Sequence, residues 1–267
     1  MIDNSFIELS SNQNQNIKRV RKLKRKKYRD EFQEFILEGA QIIESAINIS
    51  GNIKEVYISD EAHKQDTIQN LISLFDEKID IYLLKSELFA EISETVNSQG
   101  ILAVAEMKVC SLDNLIASRG PLLLLAGLQD PGNAGTLIRS ASAAGFAGVI
   151  ALKGTVDIYN PKVIRASMAG IFDLELIKNV DLEDLKKAFN NSKRRMIFAE
   201  PDAAQTYYNF VFKENDILTI GNEARGISDE ISELEHKSIS IPIKGEIESL
   251  NAAMAGTILM FEMVRSI

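Results

Sequence analysis

Three segments of the carboxyl-terminal half combine an apolar, strand-like run with glycines and a few polar side chains that could do chemistry. They are Asn133–Arg139, Ile220–Gly226 and Ile239–Asn251. Open α/β sheets bind ligands beyond the carboxyl ends of their strands, and glycine lets a ligand approach the backbone closely. The pattern therefore indicates ligand binding, although each segment alone also fits an ordinary strand–loop–helix connection.

The first segment carries an arginine in an unusual setting. Asn133 follows a Pro131–Gly132 turn and can cap a helix. Arg139 comes nearly two helical turns later, next to Leu137 and Ile138. A guanidinium so close to an apolar face usually has an anionic partner. The alternative interpretation is a capped helix with a surface arginine.

The other two segments repeat the design. Gly221 ends an apolar run and precedes Glu223, which could equally be a plain loop charge. Ser249 or Asn251 can cap the last helix, whose small residues predict tight packing. Neither a P-loop nor a Gly-x-Gly-x-x-Gly fingerprint occurs in the chain, which disfavours an unrelated nucleotide-binding α/β enzyme.

Composition narrows the class of protein. The 267 residues are 45% apolar and 25% charged, as in globular proteins, and no apolar run approaches the roughly 20 residues that span a bilayer. The start lacks a signal-peptide pattern. Cys110, His63 and His236 are too few for a His/Cys zinc site, so no metal is expected. We expect a cytoplasmic enzyme or binding protein.

A basic arm stands out against an acidic remainder. Between residues 17 and 29 no acidic residue interrupts nine basic ones, whereas the rest of the chain has 21 basic and 38 acidic residues, a net charge near −17. This asymmetry predicts attraction to a polyanion such as RNA. The alternatives are a solvated basic helix or, less favoured because its apolar stripe is narrow, a membrane-surface helix. The candidate RNA-binding residues are Lys18, Arg19, Arg21, Lys22, Lys24, Arg25, Lys26, Lys27 and Arg29.

Apolar patterning predicts two α/β domains. Residues 1–15 are polar and predict a flexible tail, and 16–107 alternate strand and helix patterns as a small domain. A linker over 108–119 leads to a larger domain over 120–267. The all-apolar run 122–126 that follows Pro121 predicts a strand covered on both faces, as in a parallel sheet.

Taken together, the three segments resemble the motifs of the SpoU/TrmH family of RNA ribose 2′-O-methyltransferases, in the SPOUT superfamily, over about residues 120–267. The first domain resembles the ribosomal-protein-like substrate-binding domain of the rRNA-modifying branch, through Phe35–Gly39 and Gln99–Val104. The resemblance implies a deep trefoil knot, a homodimer formed by the second domain, and S-adenosyl-L-methionine (AdoMet) bound in the knot.

Carried over position by position, the resemblance assigns roles to individual residues. Asn222 departs from many relatives, which have a small residue there. Positions implied to hold AdoMet are Gly221, Ile241, Leu250, Ala199 and Glu200. Positions implied to act in catalysis are Arg139, Asn133, Glu223, Ser249 and Asn251.

The expected function is AdoMet-dependent methylation of a ribose 2′-hydroxyl, on 23S-type large-subunit rRNA because of the extra first domain. A tRNA methyltransferase and a non-catalytic RNA-binding protein on the same scaffold remain alternatives. The family hypothesis makes the arginine the base that accepts the hydroxyl proton. Because arginine keeps its proton to a pH above about 12, we favour Arg139 as a clamp on the target phosphate.

Overall fold

The structure, a computed structural model, describes residues 6–49 and 51–267, which fold into two units. The first unit extends to Met107 and also includes Tyr159–Phe172. The second unit comprises Lys108–Ile158 and Asp173–Ile267. Residues 159–172 thus belong to the first unit, although the sequence pattern places them in the larger domain.

The first unit is built on a mixed sheet. Its described strands, in the order β1-β4-β3-β5-β2, are β1 (Ile7–Leu9), β2 (Glu34–Glu38), β3 (Ile53–Ser59), β4 (Asp80–Leu84) and β5 (Ile101–Glu106). Its helices are α1 (Gln15–Leu23), α2 (Lys26–Phe32), α3 (Ala40–Asn48), α4 (Asp66–Ile72), α5 (Ser86–Ile92), α8 (Pro161–Ser167) and the start of α9 (Gly170–Asp173). Strand β1 lies inside the predicted flexible tail and corrects that prediction for residues 7–9, because it pairs in parallel with β4 and buries Leu9.

The basic helix α1 is part of the core of the first unit. Ile17, Val20 and Leu23 recur every three residues and are all fully buried. The Asn14 side chain caps the helix by accepting from the backbone N–H of Asn16 at 2.8 Å. The narrow apolar stripe therefore packs inward and leaves the basic side chains around it.

The second unit contains the parallel sheet that the sequence predicts. Its described strands, in the order β11-β9-β10-β6-β7-β8 and all parallel, are β6 (Leu122–Ala126), β7 (Gly148–Leu152), β8 (Glu175–Val180), β9 (Arg195–Ala199), β10 (Asp216–Gly221) and β11 (His236–Ile239). Its helices are α6 (Leu112–Ala117), α7 (Pro131–Ala143), α10 (Leu182–Asn190), α11 (Asp229–Ser232) and α12 (Ala252–Ser266). Four leucines of β6 are fully buried, as a central parallel strand requires.

The strand order reverses between β6 and β10. From β6 the chain proceeds through β7 to β8 at one edge, and then returns to build β9, β10 and β11 on the other side. Ligands of open α/β sheets bind at such switch points, beyond the carboxyl ends of the strands. The segments after β6 and β10 are therefore placed for a site.

Candidate active site

The carboxylate of Glu223 joins the loops that follow β10 and β6. It accepts hydrogen bonds from the backbone N–H groups of Gln129 and Asp130, both at 3.0 Å. It also accepts from Nδ2 of Asn133, on α7, at 3.1 Å. Glu223 therefore holds two predicted motifs against each other.

The Asn251 side chain connects the third motif to the other two. Its Nδ2 donates to Oδ1 of Asn133 at 2.9 Å, while its own Oδ1 accepts from the N–H groups of Ala253 and Met254 at the start of α12. Asn251 is thus the N-cap of α12, as predicted. A continuous chain of hydrogen bonds, Glu223–Asn133–Asn251, links segments far apart in sequence.

Asn133 is not a helix cap, and that prediction was wrong. The N-cap of α7 is Asp130, whose carboxylate accepts from the N–H of Asn133 at 2.7 Å, and Pro131 occupies the first turn. Because Asp130 satisfies the helix end, the Asn133 amide is available to bridge Glu223 and Asn251.

The environment of Glu223 keeps its carboxylate ionised. Burial alone would raise its pKa, but the hydrogen bonds from the N–H groups of Asp130 and Gln129 and from Asn133 outweigh it and hold the pKa below its usual value. An ionised carboxylate accepts hydrogen bonds and cannot donate one. Glu223 is therefore suited to organising loops.

Gly221 is required by the turn that follows it. A Cβ at this position would lie 2.4 Å from the carbonyl carbon of Gly226, where the backbone folds back. Asn222 and Gly226 exchange two backbone hydrogen bonds, at 2.8 and 2.9 Å, which close this turn. The glycine is therefore explained by the backbone that folds back against it, and not only by the approach of a ligand.

Asn222, the residue after Gly221, stabilises the same turn. Its Oδ1 accepts from the N–H groups of Ala224 and Arg225, each at 3.0 Å. Its Nδ2 donates to the carbonyl of Gly127, in the segment after β6, at 2.9 Å. The asparagine thus adds a second connection between the ends of β6 and β10.

A cavity of about 650 Å³ lies beyond the carboxyl ends of β9, β10 and β11. Its lining contains every residue that the resemblance assigns to AdoMet, namely Ala199, Glu200, Gly221, Ile241 and Leu250. Glu223 and Ser249 line it too, and the aliphatic walls include Ile220, Ile243 and Leu259. The predicted cofactor residues therefore share one cavity.

The charged side chains that line this cavity are all acidic. Among the described residues they are Glu200, Asp202, Glu223 and Glu248. A carboxylate lining attracts cations and repels phosphate groups. Asp202 and Glu248 were missed by sequence analysis, although each lies shortly after an apolar run, where a charged residue can be a clue.

Arg139 lies on α7 and is exposed, not part of the cavity lining. Within residues 6–49 and 51–267 it has no hydrogen bond or ion pair, so the anionic partner expected from its apolar neighbours is not supplied by this part of the chain. Asn133 and Asn251 also stand outside the lining but are linked to it through Glu223. The guanidinium is therefore available to a ligand from solution.

The structure divides the nine basic residues of the arm into two groups. Arg19 pairs with Glu34 and Glu55, and Arg21 pairs with Glu91. Lys24 and the buried Arg29 donate to backbone carbonyls of the first unit. The exposed members are Lys18, Lys22, Arg25, Lys26 and Lys27. A polyanion in solution can contact this exposed group.

Comparison with known proteins identifies the family. The model described as the SpoU rRNA Methylase family matches residues 121–261, more than half of the chain. The chain belongs to this family. A second model, the MRM3-like substrate binding domain, matches residues 14–103. The resemblance that the motifs carry is therefore confirmed.

Relatives and solved structures agree over nearly the whole length. The chain is 30% identical to the Bacillus subtilis protein named 23S rRNA (guanosine(2553)-2′-O)-methyltransferase RlmP, over 96% of this chain and 98% of that one. The SpoU methyltransferase AviRb from Streptomyces viridochromogenes, solved with the cofactor AdoMet, superposes with a TM-score of 0.83 at 25% identity over 95% and 98% of the two chains. An AdoMet-bound rRNA methyltransferase from Sinorhizobium meliloti has the same fold, with a TM-score of 0.84 at 24% identity over 97% and 98%.

Among the helices of residues 6–49 and 51–267, none combines the length and the apolar composition that a membrane span requires. No group of three or more His, Cys, Asp or Glu residues in those same ranges is arranged to hold a metal ion.

Proposed function

We propose that the protein is an AdoMet-dependent RNA methyltransferase that modifies a ribose 2′-hydroxyl of large-subunit rRNA in the cytoplasm. The observation that carries the proposal is the Glu223–Asn133–Asn251 chain, which joins the three family motifs next to the carboxylate-lined cavity. Family membership and the similarity to RlmP, named as a 23S rRNA enzyme, support the substrate class.

The cavity fits AdoMet in size, walls and charge. Aliphatic side chains suit the apolar face of adenine, and backbone amides suit its hydrogen-bonding edges. Ala199, Gly221, Ile241 and Leu250 would supply backbone and walls, with Glu200 beside them. AdoMet supplies an electrophilic methyl group on a sulfonium cation. A carboxylate lining favours that cation and disfavours nucleotides that carry phosphates.

Arg139 would orient the RNA. Its exposed guanidinium presents a planar fork that matches a phosphate in a bidentate manner. Holding the phosphate next to the target fixes the ribose, and orientation of this kind supplies a large share of a catalysed barrier. Since arginine holds its proton to a pH above about 12, the 2′-hydroxyl proton passes to solvent or a neighbour.

The trefoil knot is part of the proposal. The loops after β9, β10 and β11 line one cavity, and α12 then returns to pack against α7 and β10. A Cβ on Gly256 of α12 would lie 2.4 Å from Leu137 of α7, so these helices touch closely, as the small residues predicted. This arrangement of loops supports a knot, in which the end of the chain passes through a loop formed earlier in the sequence.

The homodimer is proposed from exposed apolar residues on α12 and just after it. Met254, Phe261 and Val264 of α12 and Ile267, which follows it, are exposed by 57, 50, 37 and 51%. Contiguous exposed apolar residues mark protein interfaces. Sedimentation velocity should find a dimer, and the Phe261→Glu variant should be a monomer. An unmodified protein that sediments as a monomer would rule out the proposed homodimer.

Two experiments test the function. Calorimetry should detect binding of AdoMet but not of ATP or NAD, whose phosphates meet the carboxylates. A non-catalytic RNA-binding scaffold would bind none of them. Mapping ribose methylation in cells that lack the protein should then reveal one missing methyl group in large-subunit rRNA. A site lost from tRNA instead would support the alternative substrate.

A further inference from the structure

Tyr28, on α2, is half-buried and lies beside two exposed lysines of the first unit. The Nζ atoms of Lys22 and Lys27 lie 5.3 and 5.7 Å from the centroid of its ring. Phe32 stacks on it from one turn away, with centroids 6.1 Å apart and an interplanar angle of 25°. We call Lys22, Lys27 and Tyr28 the Tyr28 patch.

The surroundings of the Tyr28 patch favour an anionic, base-containing partner. Lys18, Arg25 and Lys26 are exposed in the same short stretch of chain. The apolar residues of the neighbouring helix α1 are fully buried and unavailable to insert into a lipid surface. Tyr28 is half-buried and packs on Phe32, and the two ammonium groups beside its ring bring a stacking side chain and phosphate-binding cations together.

We propose that the Tyr28 patch binds a single-stranded segment of the RNA substrate, with one base stacked on Tyr28 and adjacent phosphates held by Lys22 and Lys27. The inference rests on the proposed function, since it names a contact that captures the same substrate. Every base has a π-face, so the contact tolerates different sequences. Stacking on an aromatic side chain is a principal way in which proteins recognise unpaired RNA.

The test compares Tyr28→Leu with Tyr28→Phe in the full chain. Leucine keeps an apolar contact with Phe32 but has no aromatic face, and phenylalanine keeps the face. The probe is a single-stranded oligoribonucleotide that contains 2-aminopurine, whose fluorescence is quenched when it stacks. We expect Tyr28→Leu to weaken binding on the order of tenfold and abolish the protein-induced quenching, and Tyr28→Phe to retain both.

Salt dependence separates stacking from charge. Tyr28→Leu should leave the slope of log affinity against log salt unchanged, whereas Lys22→Ala and Lys27→Ala should each lower it by about 0.7. Lys78→Ala, at an exposed lysine of the same unit, is the matched control and should change neither affinity nor slope.

Two results would overturn the Tyr28 proposal. One is wild-type affinity and quenching in Tyr28→Leu; the other is an equal loss in Tyr28→Phe, which would point to the hydroxyl group. AdoMet calorimetry distinguishes these from failure of the proposed function. Without stacking at Tyr28 the protein would still bind AdoMet and methylate RNA, whereas a protein that binds no AdoMet would refute the enzyme itself.

Discussion

At the scale of single residues, Asn133 shows why one amide can connect three loops. Its Nδ2 donates to Glu223 while its Oδ1 accepts from Asn251. An ionised carboxylate could only accept, whereas an amide carries both a donor and an acceptor. The residue type was predictable from the family motif, but its partners were not, because the sequence assigned it to a helix cap that Asp130 provides.

At the exposed Arg139, a substitution can change the shape of the side chain while keeping its positive charge. Arg139→Lys keeps the positive charge but loses the planar fork, so kcat/KM for methyl transfer should fall on the order of a hundredfold while AdoMet affinity stays unchanged. The measurement is transfer of labelled methyl groups to RNA. Arg119→Lys, at an exposed arginine of the same unit, is the control. Near-normal turnover by Arg139→Lys would refute both the clamp and the base hypothesis.

The lowered pKa of Glu223 predicts a pH-dependent contribution to stability. Its ionised form is the one that the N–H donors favour, so the contribution is present above the unfolded pKa of about 4.3 and is lost as pH falls through the lower folded value. Glu223→Gln should therefore lower Tm at pH 7, and this difference should shrink below about pH 4.

A control variant is measured by the same thermal scans. Glu235→Gln, at an exposed glutamate of the second unit, should leave Tm unchanged at both pH values. A Tm difference for Glu223→Gln that stays constant from pH 7 down to pH 3 would show that ionisation of this group does not organise the loops.

At the scale of elements, the strands that could be predicted from the sequence were those with a continuous apolar run. Strand β6 was predicted with its observed bounds, 122–126, because its whole run is apolar and buried. Strand β8 was missed, since it is an edge strand with polar residues, an irregular register beside β7, and Asn179 at a φ of 55°. Edge strands need not bury both faces, so their sequences lack the signal that marks central ones.

The cap of α12 leads to a prediction that separates two roles of Asn251. Asn251→Ala removes both the cap and the bridge to Asn133, and should cost about 1 kcal/mol of unfolding free energy for the cap alone. Asn251→Asp keeps a capping oxygen but loses the Nδ2 donor. We expect the aspartate variant to be more stable than the alanine variant, yet both should bind AdoMet more weakly in calorimetry.

A cap outside this network provides the comparison. Asn160 caps α8 of the first unit by accepting from the N–H of Lys162 at 2.9 Å. Asn160→Ala should also lower stability, but it should leave AdoMet affinity unchanged. Wild-type AdoMet affinity in Asn251→Asp would mean that the bridge plays no part in shaping the cavity.

At the scale of the whole molecule, the buried residues of the basic arm decide how its RNA binding can be tested. Deleting residues 1–29 would remove Ile17, Val20 and Leu23, each fully buried in the core of the first unit. Loss of one large core side chain costs about 2–5 kcal/mol, so the truncated protein would unfold there rather than report on charge. Charge counting predicted an RNA-binding segment, but it could not show that some of its cations, such as Arg19 and Arg21, pair with carboxylates of the same unit.

Neutralising only the exposed cations gives the prediction for the intact fold. Replacing Lys18, Lys22, Arg25, Lys26 and Lys27 by alanine should weaken RNA binding and lower the slope of log affinity against log salt by up to about 3.5, at about 0.7 for each phosphate contact on single strands. AdoMet affinity should stay unchanged. Alanine at Lys64, Lys78 and Lys85, three exposed lysines of the same unit, controls for general charge. An unaltered slope in the five-residue variant would mean that RNA docks elsewhere, because counterion release requires that the removed charges were the ones in contact.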